Sequence, residues 1–334
     1  MTNRERMRAV LDGRMPDDRL PVVEWATWWD KTIRAWIEQG MPPEHTGIRQ
    51  CFAYYGLDDI VQIWIDHRTG ELPMPTAHGR GIVQSEEDYE RIRPALFSEA
   101  RMEAYLDQFR AHRAAHERGD FSLWYTLEGF FWFPRTLFGI EEHLYAFYDQ
   151  PELMHRINRD QAEYSMRFLE RLYEIDIPEF MTFAEDMSYN QGPMLSKDCF
   201  DAFLLPYYRK LIPFIRSHGT RVLIDTDGDV EPLIPWFLEA GIEGVLPLER
   251  QAGVEVCRIR EQYPELILIG GFDKTIMHLG EEAMRAEFER ILPAMRAGRY
   301  VPSVDHQTPP DVTLEQYRRY VCLLKEYAAK AVKQ

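Results

Sequence analysis

Short apolar segments alternate along the chain with longer segments of helical periodicity. Each apolar segment is nearly continuous, which is typical of a strand buried on both faces of a parallel sheet. Such segments predict eight strands, over residues 20–26, 59–65, 122–128, 178–184, 221–225, 244–248, 265–271 and 300–304. Because helical segments separate most of them and no linker interrupts the pattern, we expect an α/β protein with a single (β/α)8 TIM-barrel domain over residues 1–334. Residues 69–82, rich in Gly and Pro, predict a small hairpin outside this alternation.

An ionisable residue ends or follows nearly every predicted strand. The carboxyl ends of barrel strands converge on one face, where active sites lie, so this placement predicts an acidic pocket. The residues concerned are Glu24, Asp66, His67, Glu128, Glu185, Asp186, Asp225, Asp227, Glu249, Asp273, Asp305 and His306. Any one of them alone is typical of a helix cap or an ion pair, but the regular placement of the set favours a function.

The densest acidic run is Asp225-Thr-Asp227-Gly-Asp229, directly after the fifth predicted strand. Carboxylates grouped at the end of a buried strand need a cation, a hydrogen-bonded ligand or raised pKa values. Asp225 and Asp227 with His306 would supply three ligands to a divalent metal and leave a position open, and Glu249 is a candidate fourth ligand. Alternatively, the same carboxylates would bind a cationic or polyhydroxylated substrate.

Aromatic residues accompany several of these strand ends. Aromatic side chains commonly line ligand pockets, whereas core packing is the alternative for any single one. We expect the substrate-binding wall to be formed by Glu24, Trp25, Trp28, Tyr125 and Trp132.

The composition limits the kinds of molecule that the protein is expected to bind. The formal net charge is -16, which argues against non-specific binding to nucleic acid or to an anionic membrane, because both need a basic face. The four cysteines are widely scattered, as expected for reduced thiols. The N-terminal segment lacks the apolar core of a signal peptide, and no apolar run is long enough to span a membrane. We therefore expect a cytoplasmic protein that acts on a small molecule.

Several short motifs in the second half of the chain occur together. They are Glu185-Asp186-Met187, Gln191-Gly-Pro-Met-Leu-Ser196, Leu204-Leu-Pro-Tyr-Tyr208, Gly270-Gly-Phe-Asp-Lys274, and Asp305-His306 followed by Pro309-Pro-Asp-Val312. With them the sequence resembles the uroporphyrinogen decarboxylase superfamily, which comprises the haem-pathway decarboxylase and cobalamin-dependent methyltransferases. The resemblance extends over almost the whole chain. It implies a (β/α)8-barrel enzyme and suggests a homodimer.

Two departures from the family motifs bear on the reaction. Where the decarboxylases carry an arginine-rich motif that receives substrate carboxylates, this chain has the acidic segment 24–30, which disfavours a porphyrinogen substrate. The methyltransferases carry a His-x-Cys-Gly motif and a later Cys that together bind zinc, and the matching positions here are Asp225, Asp227 and His306. All three remain competent metal ligands although no thiolate is left. The site pattern is closer to the methyltransferase branch.

The leading hypothesis is a metal-assisted methyltransferase. It would move a methyl group from a small O- or N-methylated substrate to the cobalt of a separate corrinoid protein. A divalent metal, zinc by the resemblance, would act as a Lewis acid on the substrate heteroatom. Glu185 and Asp186 would orient the substrate or serve as a general acid.

Two alternatives stay open. A metal-independent decarboxylase or related lyase acting on a small substrate would use Asp66 and His306 as its polar groups. A non-catalytic binding protein would hold a cationic ligand in the same acidic pocket.

Overall fold

The computed structural model describes residues 1–68, 70 and 72–333, and these form an α/β fold around a seven-stranded parallel sheet. The strands are β1 (Ile60–Ile65), β2 (Ser122–Glu128), β3 (Phe180–Ala184), β4 (Ser188–Tyr189), β5 (Gly192–Pro193), β6 (Arg221–Asp225), β7 (Gly244–Leu246), β8 (Ile267–Phe272) and β9 (Tyr300–Val304). The sheet has the order β1-β2-β3-β6-β7-β8-β9, whereas β4 and β5 form a separate antiparallel hairpin. Strands that follow one another in both sequence and space, all parallel, are the arrangement of a (β/α) barrel wall.

Helices connect each strand of the sheet to the next. The α-helices are α1 (Asn3–Leu11), α2 (Asp30–Glu38), α3 (Ile48–Tyr55), α4 (Glu86–Ile92), α5 (Glu99–Glu117), α6 (Trp132–Phe138), α7 (Ile140–Asp149), α8 (Pro151–Ile175), α9 (Lys197–Phe203), α10 (Leu205–Ser217), α11 (Ile234–Ala240), α12 (Val256–Gln262), α13 (Glu281–Ala297) and α14 (Leu314–Val332). Short 3₁₀ helices span Arg93–Ala95, Glu231–Leu233, Arg250–Ala252 and Lys274–Leu279. Parallel strands need such crossovers, because the chain must return to the same end of the sheet.

The sheet forms the centre of the hydrophobic core. Strands β2, β3, β8 and β9 are buried at every position, as expected for strands covered on both faces. Strand β1 differs, because Gln62 and Trp64 are exposed while Ile63 and Ile65 are buried. One face of β1 therefore borders open space instead of packed side chains.

The segment 20–26 was expected to be a strand, and this prediction is wrong. The segment is largely buried and lies between the two edges of the sheet, since Val22 bonds to Asp58 just before β1 and the Trp25 N–H donates to the Ser303 hydroxyl in β9. Its partners include side chains as well as backbone, and Pro21 has no N–H to offer to a ladder. The segment fills the place of an eighth strand without forming one.

The other seven predicted strands are confirmed, with ends shifted by at most two residues. The hairpin expected over residues 69–82 is wrong for residues 72–82, which contain no strand, and Thr69 and Glu71 lie outside the described residues. The hairpin that does form, β4–β5, lies after β3 and brings residues 188–193 to the carboxyl ends of the strands. No helix in the described part of the chain combines the length and the apolar character needed to cross a membrane.

Glu24 lies inside the joint between segment 20–26, β9 and α14. Its carboxyl group accepts hydrogen bonds from the Ser303 hydroxyl at 2.6 Å and from the Tyr317 hydroxyl at 2.9 Å. Burial raises the pKa of Glu24 to about 8. A carboxyl group whose pKa is higher in the folded than in the unfolded chain stabilises the fold at low pH, and that stability is lost as the pH rises through the folded pKa.

We predict that Glu24→Gln flattens the pH dependence of stability between about pH 4.5 and 8. Ionisation of Glu24 should lower the free energy of unfolding by several kcal/mol over this window, since each pKa unit corresponds to about 1.4 kcal/mol. Glu185 and Asp227, whose pKa values are also raised, lower it further over the same window. The neutral amide has nothing to ionise, so the variant should lose the contribution of Glu24 and keep the rest. Urea denaturation at a series of pH values measures it, with Glu38→Gln on the exposed face of α2 as the matched control. Parallel pH profiles for both variants would contradict a buried, protonated Glu24.

Candidate metal centre

The acidic run after β6 forms a tight turn that cannot be built without glycine at one position. Gly228 has a φ of +79°, and a Cβ there would lie 2.5 Å from the Tyr189 backbone. The Ser188 hydroxyl donates to the Asp227 carbonyl at 2.6 Å, and the Asp229 N–H donates to the Tyr189 carbonyl at 2.9 Å. The hairpin therefore holds the turn in place and fixes the position of Asp227.

Three potential metal ligands converge beside this turn. One ligand atom from each of Asp227, Glu249 and His306 lies within 4.8 Å of the other two, and His306 Nε2 is 3.6 Å from Asp227 Oδ1. The Gly228 N–H donates to Glu249 Oε2 at 2.8 Å, which orients that carboxylate. Ligand bonds of about 2.0–2.2 Å place neighbouring donors roughly 3–4 Å apart, so small movements would let this set hold a divalent ion.

The electrostatics of the cluster fit a cation. Burial raises the pKa of Asp227 to about 7, and the neighbouring carboxylates of Asp186 and Glu249 add to the rise. Burial also lowers the pKa of His306, which favours the neutral imidazole that ligates metals. A cation among these groups would relieve the repulsion between the carboxylates.

Asp225, expected as a ligand, lies next to the cluster. Its backbone carbonyl accepts the Glu185 N–H at 2.9 Å, while its side chain borders the same cavity as Asp227. Burial raises the pKa of Asp225 well above its usual value, and repulsion from the carboxylates of Asp227 and Asp186 adds to the rise. The structure thus brings together Asp227, His306 and Glu249, with Asp225 beside them.

Two cavities meet at the cluster. The first has a volume of about 370 Å³, and we call it the tryptophan lobe; it is lined mainly by Trp25, Trp64, Trp124, Asp186, Asp225 and Asp227. The second has a volume of about 260 Å³, and we call it the hairpin lobe; it is lined mainly by Arg135, Ser188, Tyr189, Asn190, Met194 and Glu249. Asp186 and Asp227 line both. The metal ligands therefore lie between two spaces of different chemistry.

Asp186 has a strained backbone at the junction of the lobes. Its φ is +44°, a left-handed value that few residues other than glycine adopt. Burial raises the pKa of Asp186, the nearby Arg135 guanidinium opposes the rise, and Glu249 adds to it. Such strain is often stored at functional sites, so this carboxyl group is a candidate for chemistry.

Glu185, the other acid of this pair, has a different role. Its carboxyl group accepts the backbone N–H groups of Phe130, Phe131 and Trp132 at 2.7–3.0 Å and the hydroxyl of Tyr208. It is fully buried, and burial raises its pKa to about 7. Glu185 holds the turn before α6 and does not border either lobe.

Of the residues expected to form the substrate wall, Trp25 lines the tryptophan lobe and Trp132 lies next to a residue of the hairpin lobe. The Trp25 indole N–H donates to the Val304 carbonyl at 2.7 Å, and its ring meets that of His306 edge to face at 6.1 Å. Trp132 lies under the Arg135 guanidinium next to the hairpin lobe. Both therefore lie near the cluster.

Four other expected residues lie elsewhere. Trp28 packs among the core aromatic rings of α2, α3 and α14, and the Tyr125 hydroxyl bonds to Tyr173 behind the sheet. Glu24 is enclosed in the joint described above. Asp66 is paired with Arg68 at 2.9 Å and is absent from the lining of both lobes.

Several site residues were missed from the sequence. They are Gln62, Trp64, Trp124, Arg135 and Gln307. The signal for two of them lies inside β1, where Gln62 is the one polar residue of an apolar run and Trp64, two residues later, shares its face. Arg135 and Gln307 carry no comparable signal, because only the folded turns bring them to the lobes.

Comparison with known proteins identifies a family. A family model described as uroporphyrinogen decarboxylase (URO-D) matches residues 71–327. Among solved structures, one similar chain is a B12-independent methionine synthase from Shewanella sp. W3-18-1 in complex with selenomethionine, with 9% identity and a TM-score of 0.36, covering 69% of this chain and 66% of the synthase. At that similarity, the activity of the synthase is not transferred to this chain. A search of curated proteins found no match.

We predict that Gly129→Ala destabilises the protein by displacing Glu185. A Cβ at position 129 would collide with the Glu185 carboxyl group, which accepts three backbone N–H groups and cannot move without leaving these buried donors without an acceptor. The free energy of unfolding should drop by about 2 kcal/mol or more. Thermal denaturation measures it against Gly47→Ala, whose only close neighbour is the flexible side chain of Gln50. An equal effect of the two substitutions would contradict the role given to Glu185.

Proposed function

Because the chain belongs to the uroporphyrinogen decarboxylase family, we propose that it is an enzyme of the methyltransferase kind within that family. It would move a methyl group from a small O- or N-methylated substrate to a corrinoid protein, with the help of a divalent metal. The observation that carries this proposal is the convergence of Asp227, Glu249 and His306 beside a cavity large enough for a small substrate.

The metal would be held by Asp227, Glu249 and His306. Two carboxylates and an imidazole suit zinc and related ions, and such an ion supplies Lewis acidity to a substrate heteroatom. The Gly228 N–H would keep the Glu249 carboxylate oriented, and the hairpin would keep Asp227 in place. The corrinoid would accept the methyl group while the electron pair of the broken bond stays on the substrate heteroatom.

Asp186 is the proposed proton donor. It borders both lobes, and burial raises the pKa of its carboxyl group, so a share of it is protonated where an ordinary aspartate is not. An ether oxygen that loses its methyl group needs a proton, and Asp186 would supply it. Glu185, expected in this role from the sequence, would instead position the turn before α6.

The charge of the tryptophan lobe supports a methylated substrate over a carboxylated one. Asp186, Asp225 and Asp227 line it, and among the residues that the structure describes no Lys or Arg does. A substrate with several carboxylates would meet repulsion there. Neutral and cationic substrates would not be repelled in this lobe.

We predict that each chain binds one metal ion and that replacing a ligand residue weakens this binding. Dialysis against zinc followed by elemental analysis should give about one ion per chain in the native protein. Asp227→Asn and His306→Ala should each weaken zinc binding by more than about tenfold, because each removes a donor atom. Asp229→Asn, the same change two residues along, should bind zinc normally. A native chain that retains no metal, or an Asp229→Asn variant that loses as much as Asp227→Asn, would rule out this centre.

We predict that the reaction needs a methyl acceptor and the carboxyl group of Asp186. With reduced cobalamin as acceptor and a panel of methyl ethers and methylamines, methylcobalamin should form and be visible by absorbance. Asp186→Asn should slow transfer from ethers by about 100-fold or more, since it removes a general acid, whereas Asp198→Asn at an exposed position of α9 should not. Release of carbon dioxide from a carboxylated substrate without any corrinoid would favour a decarboxylase instead.

A further inference from the structure

The tryptophan lobe has aromatic walls from three neighbouring parts of the chain. Trp25 comes from segment 20–26, Trp64 from β1 and Trp124 from β2. Gln62 is the direct register partner of Trp124, so Gln62, Trp64 and Trp124 share one face of the sheet. The Trp64 side chain is 41% exposed, which leaves much of its ring open to the cavity. Trp124 itself is buried at the base of this face, at 2% exposure. Barrel interiors are usually filled by aliphatic side chains, so the open ring of Trp64 at this position favours a ligand.

One carboxylate in this lobe has no positive counterpart. Asp227 and Glu249 would share the proposed metal, Asp305 pairs with Lys274 at 3.1 Å, and Asp186 lies beside Arg135. Among the described residues, the Asp225 side chain has neither an ion pair nor a hydrogen bond. A cation bound beside this partly buried carboxylate would supply the missing partner and relieve its repulsion from the neighbouring acids.

We propose that the tryptophan lobe binds an organic ammonium group and that the substrate of this enzyme carries one. The indole rings of Trp25 and Trp64 would contact the cation above the buried Trp124, and Asp225 would neutralise it. Trp is the best aromatic partner for a cation, and aromatic cages with a nearby acid are a known way to recognise alkylated ammonium groups. This proposal rests on the proposed function, because it names the substrate class for the same site.

The ammonium group and the heteroatom at the metal are different parts of the substrate. An alkylated or protonated ammonium nitrogen has no lone pair to offer a metal, whereas the metal cluster needs a donor atom. Asp225 lies outside the three-ligand cluster but lines the same cavity. The substrate is therefore bifunctional, with a cationic end among the tryptophans and an oxygen or neutral nitrogen directed to the cluster.

Isothermal titration of the zinc-loaded protein at low ionic strength tests this with two probes of the same shape. Choline carries the ammonium charge, and 3,3-dimethyl-1-butanol replaces the nitrogen by carbon. Choline should bind at least about tenfold more tightly, since cation–aromatic and charge contributions of about 1–2 kcal/mol separate the two. Equal affinity, or tighter binding of the alcohol, would overturn the proposal.

Three substitutions locate the subsite. Trp64→Leu and Asp225→Asn should each lower the affinity for choline by about tenfold and change that for the alcohol much less. Trp64→Phe, which keeps an aromatic face, should lower the affinity for choline less than Trp64→Leu does. Trp236→Leu in α11 is the matched control and should bind choline as the native chain does. If Trp64→Leu and Trp236→Leu have the same effect, the cation does not lie in the tryptophan lobe.

The two proposals fail in different ways. Choline binding is measured without methyl transfer, so selective binding by a protein that transfers no methyl group would contradict the proposed function alone. Methyl transfer from uncharged ethers by a protein that does not prefer choline would contradict the ammonium subsite alone.

Discussion

Carboxylates that are brought together in a partly buried site repel one another, and this repulsion constrains the whole carboxyl end of the sheet. Asp186, Asp225, Asp227 and Glu249 lie around one opening, and burial together with mutual repulsion raises the pKa of the first three. The surrounding chain compensates with the Arg135 guanidinium and directed N–H groups. The negative charge that remains uncompensated would favour the binding of a cation at this site.

The strand pattern was predictable because burial on both faces requires continuous apolar runs, and seven of the eight runs are strands. Segment 20–26 is also largely apolar, but its N–H groups at Val22 and Trp25 donate to the side chains of Asp58 and Ser303. Whether an apolar run forms a ladder depends on what lies beside it, and a single sequence does not contain that information. Hence the eighth strand was expected where the structure has an irregular segment.

The site was predictable to the extent that strand ends converge. Asp227, His306 and Glu249 were chosen on that basis, and the structure brings them within reach of one ion. Side-chain direction was harder to predict, since Trp28 and Tyr125 face the core while Trp64 and Trp124 face the cavity. The role of Glu185 was not foreseeable either, because three backbone N–H groups become donors only after the turn at residues 129–132 has formed.

The irregular segment 20–26 has a mechanical consequence. Separating β1 from β2 would break a ladder of six residue pairs, whereas parting the segment from β1 or β9 would break only a few isolated hydrogen bonds. Segment 20–26 is thus held to its neighbours by fewer hydrogen bonds than β1 and β2 are held to each other. Because this segment carries Trp25, the more weakly held part of the wall borders the cavity itself.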